Sequence, residues 1–212
     1  MVTKIHNWKD IQKTRNRKIL KLDSDEKAII QCFKELLSSF VEIRTRKGKN
    51  SKLGADETIL IKEKLASLGK ERKYGVYTNK LPARNDEKFV NCEWVFDLHW
   101  VIEPLNTNYQ IKKLPLVVEC EWAFKRKGDD ESIPYGAMKW DFQKLLIANA
   151  NLRLMIFELC KTDDFEHLNQ YFEEAINNFE ELKNGAQFLI ITFYNDTFLY
   201  KIIKKRVKPT IS

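Results

Sequence analysis

Acidic and apolar residues alternate in two stretches near the middle of the chain. In residues 93–103 every even position is apolar, and the odd positions include Glu93, Asp97, His99 and Glu103. In residues 114–124, Glu119 and Glu121 alternate with apolar side chains. A period of two predicts half-buried strands. If these strands pair, three or four carboxylates share one patch, and their repulsion predicts a divalent metal site that neutralises them.

The same alternation predicts which aromatic side chains lie in the core. Trp94, Trp100, Trp122 and Phe124 have the parity opposite to that of the acids. They are therefore expected on the buried face of the sheet, with the acids on the other face.

The surrounding sequence predicts an α/β fold in which a helix, three strands, a helix and a fourth strand occupy residues 56–159. Residues 106–108 lie between the two acidic strands and predict the turn of an antiparallel hairpin. The predicted elements are a helix from Asp23 or Ser24 to about Val41, a linker at 45–54, a helix at 56–68 that Gly69 ends, strands at 74–79, 93–103 and 114–124, a helix capped near Asp141, a fully buried strand at 152–159, a helix at 164–182, and a hairpin of 187–194 with 197–203 around Asn195-Asp196.

Composition indicates a folded protein of one compact domain. The chain has 212 residues, of which 43% are hydrophobic and 12% aromatic. No apolar run approaches the length of a membrane span, and the N-terminus lacks the apolar stretch of a signal peptide, so a cytoplasmic protein is expected. Its cysteines form no CxxC pair and are expected to be reduced core thiols, namely Cys32, Cys92, Cys120 and Cys160.

The excess of positive charge lies at the front of the chain. The net charge is +7, and residues 1–50 hold thirteen Lys and Arg against six Asp and Glu. Residues 1–22 are polar and basic, and they predict an arm or a weakly docked helix. A second basic cluster lies at residues 201–208. Such segments attract polyanions, nucleic acid above all, although a solvated lysine-rich surface is the alternative.

These elements and acids resemble the PD-(D/E)XK nuclease superfamily, which includes restriction endonucleases and many repair nucleases. Asp97 matches the acid of the second core strand, and Glu119-Cys120-Glu121 matches the E-x-K of the third. The resemblance covers residues 56–159 and implies a restriction-endonuclease-like core: a helix, a three-stranded meander, a crossover helix and a fourth strand. An N-terminal helix, a C-terminal helix and a hairpin are added to that core. Residues 1–50 are then a basic arm and helix, and residues 51–212 the nuclease-like α/β domain.

Two positions depart from the family pattern. Phe96 stands where the family name has Pro, a position that varies widely. Glu121 stands where Lys is expected, although E-x-E variants occur among restriction enzymes of this superfamily. A lysine on the crossover helix is an alternative source of the missing cation, and Lys139 and Lys144 are placed to supply it.

The resemblance implies hydrolysis of DNA with bound Mg²⁺ or Mn²⁺. The implied ligands are Asp97, Glu119 and the backbone carbonyl of Cys120, because magnesium prefers oxygen donors. Glu121 or Lys144 would orient or deprotonate the attacking water. His99 is a further candidate for metal or phosphate contact, for which a structural role is the alternative. Glu57 and Glu63 could each lend a carboxylate to the metal, for which helix capping or solvation is the alternative.

Three functions remain open from the sequence. The first is a Mg²⁺-dependent DNA endonuclease of restriction or defence, for which RNA is not excluded as a substrate. The second is a nucleic-acid-binding protein that keeps the fold without catalysis, and the third is a subunit-assembly protein. Restriction-type enzymes usually dimerise, so a homodimer is a further expectation.

Overall fold

A computed structural model of the protein describes residues 7–14, 24–48, 53–79, 81, 90–91, 95–104, 110–125, 128 and 132–206. These residues form a mixed sheet with helices packed on it. The elements are β1 Lys9–Asp10, α1 Ser24–Lys47, α2 Ala55–Glu71, β2 Gly75–Thr78, β3 Val90–Asn91, β4 Leu98–Ile102, β5 Lys113–Glu121, α3 Gly136–Ile147, β6 Leu152–Glu158, α4 Asp164–Asn178, β7 Gln187–Tyr194 and β8 Thr197–Lys204. Along the sheet the strands follow the order β1-β8-β7-β6-β5-β4-β2-β3.

The predicted helix, meander, helix and strand are present in the predicted order. Strands β2, β4 and β5 pair antiparallel, which confirms the hairpin of the two acidic strands. Strands β5, β6 and β7 are parallel, so α3 and α4 are the connections that link them. The carboxyl ends of these three strands therefore lie at one edge of the sheet.

Apolar side chains cover both faces of the sheet. Helices α1 and α2 pack on one face, where Phe33, Phe40 and Trp100 are fully buried. The second cluster lies on the other face and contains apolar residues of α3 and α4, such as Phe142 and Phe172. The prediction of half-buried strands is therefore wrong for the centre of the sheet, because the helices of the parallel connections cover its second face.

Glycine 69 lies inside α2 and does not end it. The helix continues to Glu71. A Cβ at this position would lie 2.5 Å from the Trp100 Nε1 atom and 2.7 Å from a Val76 methyl carbon. The glycine is therefore required by the close approach of α2 to the sheet, and the predicted helix stop is a packing contact.

The N-terminal segment contains a strand where an arm or helix was expected. Residues 9 and 10 pair antiparallel with β8, and the Ile11 amide donates to the Phe198 carbonyl at 3.0 Å. Ile11 is fully buried, and Trp8 packs edge-on against Phe165. The scattered apolar positions of this segment are therefore core contacts at the sheet edge.

Boundaries of β4, α1 and α4 also differ from prediction. Strand β4 begins at Leu98 rather than at residue 93. Helix α1 extends into the expected linker, where the Lys47 ammonium pairs with Asp56 and Glu57 at 2.9 Å each. Helix α4 ends at Asn178 rather than Leu182. The terminal hairpin is as predicted, and both of its turn residues, Asn195 and Asp196, have positive φ angles as a type I′ turn requires.

The basic cluster at residues 201–206 is largely engaged within the protein. Lys201 is buried and pairs with Glu173 at 2.9 Å. Lys205 is buried and donates to the Phe179 carbonyl. Arg206 lies 3.6 Å from the Glu173 carboxylate. These contacts correct the expectation of a basic surface there, and Lys208 lies outside the described residues.

Of the cysteines in the described residues, Cys32 and Cys120 are half-buried and Cys160 is exposed, and all three are free thiols. The expectation of reduced thiols is confirmed for them, whereas a core position is wrong for Cys160. Burial raises the pKa of Cys32 to about 12. Cys92 lies outside the described residues. No helix in the described ranges is long and apolar enough to cross a bilayer.

Candidate active site

The antiparallel pairing of β4 and β5 brings Asp97 and Glu119 together. Leu98 is paired with Val118, so Asp97, one residue before β4, lies opposite Glu119. The Asp97 Oδ2 atom accepts a hydrogen bond of 3.0 Å from the backbone amide of Cys120. Opposite residues of an antiparallel pair project to the same face, so two of the predicted site residues are neighbours.

A buried lysine from α2 pairs with Asp97. The Lys62 ammonium lies 2.9 Å from Asp97 Oδ1, and its side chain is 3% exposed. It also donates to the Asn79 side-chain oxygen at 2.6 Å. Helical periodicity in α2 places Lys62 beside Ile61 and Leu65 on the buried side, where a charge must be paired. Lys62 is a residue that the sequence analysis did not select.

Glu119 points from β5 towards α3 and is paired there with Lys144. The Lys144 ammonium lies 2.8 Å from Glu119 Oε2 and 2.9 Å from Asp141 Oδ1. The Glu119 side chain is 1% exposed, and its second oxygen, Oε1, has no hydrogen-bond partner among the described residues. A buried carboxylate oxygen without a donor is costly unless it takes a proton or a cation.

Burial dominates the acid–base behaviour of this group. It raises the pKa of Glu119 to about 8, against the lowering effect of the hydrogen bond from Lys144. The negative charges of Asp97 and Asp141 raise this pKa further. Burial alone would lower the pKa of Lys144, but its hydrogen bonds to Glu119 and Asp141 raise it. The lysine is therefore held in its charged form between two carboxyl groups.

Glu121 lies at the carboxyl end of β5, next to the same cluster. Its Oε1 atom accepts a hydrogen bond of 2.7 Å from the Ala123 amide. Burial raises the pKa of Glu121 in spite of that bond, and the neighbouring carboxyl of Asp141 raises it further. Glu121 is thus at the rim of the site, and the carboxyl next to it is Asp141.

Asp141 is a second residue whose role the sequence analysis missed. Helix α3 begins at Gly136, after Tyr135, and not near Asp141 as predicted. Asp141 is consequently inside the helix, where it is 8% exposed and faces the sheet. The spacing of Asp141 and Lys144, three residues apart in one helix, was the signal that could have revealed their contact. Lys144 lies in the last turn of α3.

Two further candidates from the sequence, His99 and Glu57, occupy structural positions. His99 is 2% exposed and stacks on Tyr77, with ring centroids 5.2 Å apart, and burial lowers the pKa of His99 to about 4. Glu57 is fully buried and accepts hydrogen bonds from Lys47 and from the Gly54 amide at the start of α2. Glu57 therefore has the helix-capping role that was the alternative to metal binding.

The aromatic residues follow the predicted parity only in part. Trp100 is fully buried, and Trp122 packs against Phe40 on the same face, which α1 and α2 cover. Phe124 packs on the opposite face, edge-on to Tyr135, because β5 ends at Glu121 and the alternation stops there. Trp94 and Glu93 lie outside the described residues.

The site offers oxygen donors of the type that a small divalent cation prefers, but fewer of them than such a cation needs. Asp97 and Glu119 supply carboxylate oxygens, and Glu119 Oε1 is without a partner. Across the residues that the structure describes, no group of three or more His, Cys, Asp and Glu side chains is arranged to hold a metal ion. The Cys120 carbonyl stays a predicted ligand. A cation at this position would compete with Lys62 and Lys144 for oxygens that they now contact.

No protein-family model matches the chain, and neither the comparison with curated proteins nor that with solved structures finds a match.

Proposed function

We propose that this protein is a divalent-metal-dependent nuclease of the restriction-endonuclease-like type, which hydrolyses phosphodiester bonds of DNA. The observation that carries the proposal is the contact between Lys144 of α3 and the buried Glu119 of β5 at 2.8 Å. The E-x-E sequence lacks the lysine that the resembled nucleases carry on this strand. Lys144 brings an ammonium group to the same carboxylate from the neighbouring helix.

The arrangement of the elements supports the same proposal. Helix α2, the meander of β2, β4 and β5, the crossover helix α3 and the parallel strand β6 follow the order of the resembled core. Asp97 directly precedes the second strand of that meander, and Glu119 stands on the third. The short strand β3 is an addition beside β2.

Each residue has a definable part in such a reaction. Asp97 and Glu119 would hold Mg²⁺ or Mn²⁺, which when bound would activate a water and neutralise charge on the phosphate. Lys144 would stabilise negative charge on the attacking water or the phosphate oxygens. Glu121, at the rim, would orient that water. Glu119 must lose its proton to act as a ligand, and Lys144 favours that ionised form.

Cleavage of plasmid DNA is the direct test. Supercoiled plasmid should be nicked or linearised in the presence of Mg²⁺ or Mn²⁺, and EDTA should abolish the reaction. D97N and E119Q should lose nearly all activity, whereas K64M, a change of an exposed lysine on α2, should cleave as well as the wild type. RNA substrates are assayed in parallel. Inertness of the folded wild type on every DNA and RNA substrate would reject the proposal.

A second function is favoured by the two lysines themselves. Lys62 and Lys144 already neutralise Asp97 and Glu119 without a metal ion. These ion pairs favour a nucleic-acid-binding protein that keeps this fold without catalysis, because the lysines balance the charge of its buried acids. Calorimetric titration with Mn²⁺ separates the two functions: binding that E119Q abolishes supports the nuclease, and salt-sensitive DNA binding without any metal binding supports the alternative.

A further inference from the structure

The outer surface of α3 carries an exposed aromatic residue next to the proposed site. Trp140 is 55% exposed, and Ile147, seven residues further on, is 68% exposed. Exposed tryptophan is uncommon because burying its large apolar ring is energetically favourable. The residues opposite them on α3, such as Phe142 and Leu145, are buried. Trp140 is thus on the outside of the helix that supplies Lys144.

Helical geometry sets Trp140 between two lysines. Each residue advances about 100° round the helix, so Lys144 lies about 40° from Trp140 and Lys139 about 100° to the other side. Lys144 and Trp140 are also one turn apart, a spacing at which side chains are neighbours. The exposed ring therefore lies between the acidic cluster, which Lys144 contacts, and Lys139, which faces α4.

The charge of Lys139 is not neutralised by an acid in the described structure. Its ammonium lies 2.9 Å from the His167 Nε2 atom and 5.1 Å from the centroid of the Tyr171 ring. Both partners are uncharged when the imidazole accepts from the ammonium. Burial lowers the pKa of Lys139, which a bound anion would oppose by favouring the charged form. This surface suits a phosphate, in contrast to the acidic cluster beyond Trp140.

We infer that Trp140 stacks on an unpaired base of a single-stranded nucleic acid whose backbone is contacted by Lys139 on one side and enters the site at Lys144 on the other. The inference rests on the proposed function in taking nucleic acid as the ligand, and it adds a substrate class, DNA with a single-stranded segment. Duplex DNA keeps its bases stacked on each other and would offer Trp140 no base face. An exposed ring beside a cation that no described acid neutralises, here Lys139, suits a single strand, whose bases can stack on the ring while its phosphates contact the cation.

Equilibrium binding in EDTA tests the inference without cleavage. Labelled single-stranded oligothymidylate and a duplex of the same length are titrated with wild type, W140A, W140F, K139M and I147A, and thermal unfolding checks that each variant folds. W140A should weaken single-strand binding about tenfold and duplex binding much less. W140F should keep most of the affinity, K139M should reduce the salt dependence, and I147A should bind like the wild type.

Several results would overturn the inference. The first is equal single-strand affinity of W140A and wild type, and the second is an equal loss of that affinity in W140A and I147A. The third is a change of oligomeric state in W140A with intact DNA binding, which would make the surface around Trp140 a protein interface. The plasmid assay with Mn²⁺ keeps this inference separate from the nuclease proposal. Cleavage by a protein whose binding ignores Trp140 rejects only the inference. Binding through Trp140 without any cleavage rejects only the nuclease.

Discussion

Two glutamates near the carboxyl ends of neighbouring parallel strands are both paired with a cation from a helix, namely Glu119 of β5 and Glu158 of β6. Arg44 of α1 lies 2.6 Å from Glu158 Oε1, and its guanidinium also lies 5.1 Å over the Phe193 ring. Glu119 shares its lysine with Asp141 and keeps one buried oxygen without a donor. One pair joins α1 to the sheet by a single cation and anion. The other is a cluster with excess negative charge, which is the condition that binds cations or protons.

The largest expected difference between the two glutamates is in catalysis. E119Q should lower plasmid cleavage by about a hundredfold or more, since it removes a metal ligand and its charge. E158Q should cleave within about threefold of the wild type, because Glu158 only secures α1 to the sheet. Initial rates of nicking at saturating Mn²⁺ give both numbers. Similar losses in the two variants would show that the comparison reflects stability and not chemistry.

Replacing the lysine that pairs with Glu119 should slow cleavage more than replacing the arginine that pairs with Glu158, and both effects should be smaller than those at the glutamates. K144M should lower the cleavage rate about tenfold to a hundredfold, as expected for loss of one charge-stabilising group. R44M should leave the rate nearly unchanged and lower the free energy of unfolding by about 1–2 kcal/mol, because it removes a charged hydrogen bond at a half-buried site. Rates and urea unfolding curves measure the two effects. A K144M enzyme of full activity would mean that Glu121 acts on the water without it.

The protonation of Glu119 predicts a pH dependence of the stability of the protein. Its pKa of about 8 in the folded state lies above the ordinary glutamate value of 4.5, so between these values the folded state binds more protons than the unfolded chain. The contribution of Glu119 to the free energy of unfolding should therefore fall as pH rises from about 5 to 8. E119Q should flatten this fall of stability with pH, and its free energy of unfolding at pH 9 should exceed that of the wild type by about 1–3 kcal/mol. Urea unfolding of both proteins between pH 5 and 9 measures the slope, and a wild-type slope in E119Q would contradict the assignment to Glu119.

His99 is a buried titratable group outside the proposed site, so it shows what burial does to stability without a catalytic role. His99 is as buried as Glu119, but burial is the cause that lowers its pKa to about 4. Between pH 6.5 and 4 the unfolded chain protonates His99 and the folded protein does not. The contribution of the neutral His99 to the free energy of unfolding is therefore lost as pH falls from about 6.5 to 4. H99Q should weaken that acid-range slope and leave the relative cleavage rate at pH 8 within about threefold. A large loss of cleavage would make His99 part of the site.

The sequence was informative where pattern and topology agree. The alternation around Asp97 and Glu119 placed them on paired strands, and the Asn195-Asp196 turn identified the last hairpin. Burial of Glu119 could not be read from β5 alone, because it depends on α3, whose start at Tyr135 has no usual capping residue and a φ of 60°. Lys62 escaped notice because its partner, Asp97, is 35 residues away in sequence. Long-range ion pairs have no local pattern.

The pairing of β1 with β8 has a consequence for the order in which the chain folds. Lys9 is opposite Tyr200, so this edge of the sheet cannot form until nearly all of the described chain has been synthesised. Contacts between such distant residues carry a large loop-closure cost and form slowly. Trp8 and Ile11, both buried in the finished fold, therefore stay accessible to water and to chaperones while the centre of the sheet assembles. Closing this edge is a late step, and until it happens β8 presents an open strand to other chains.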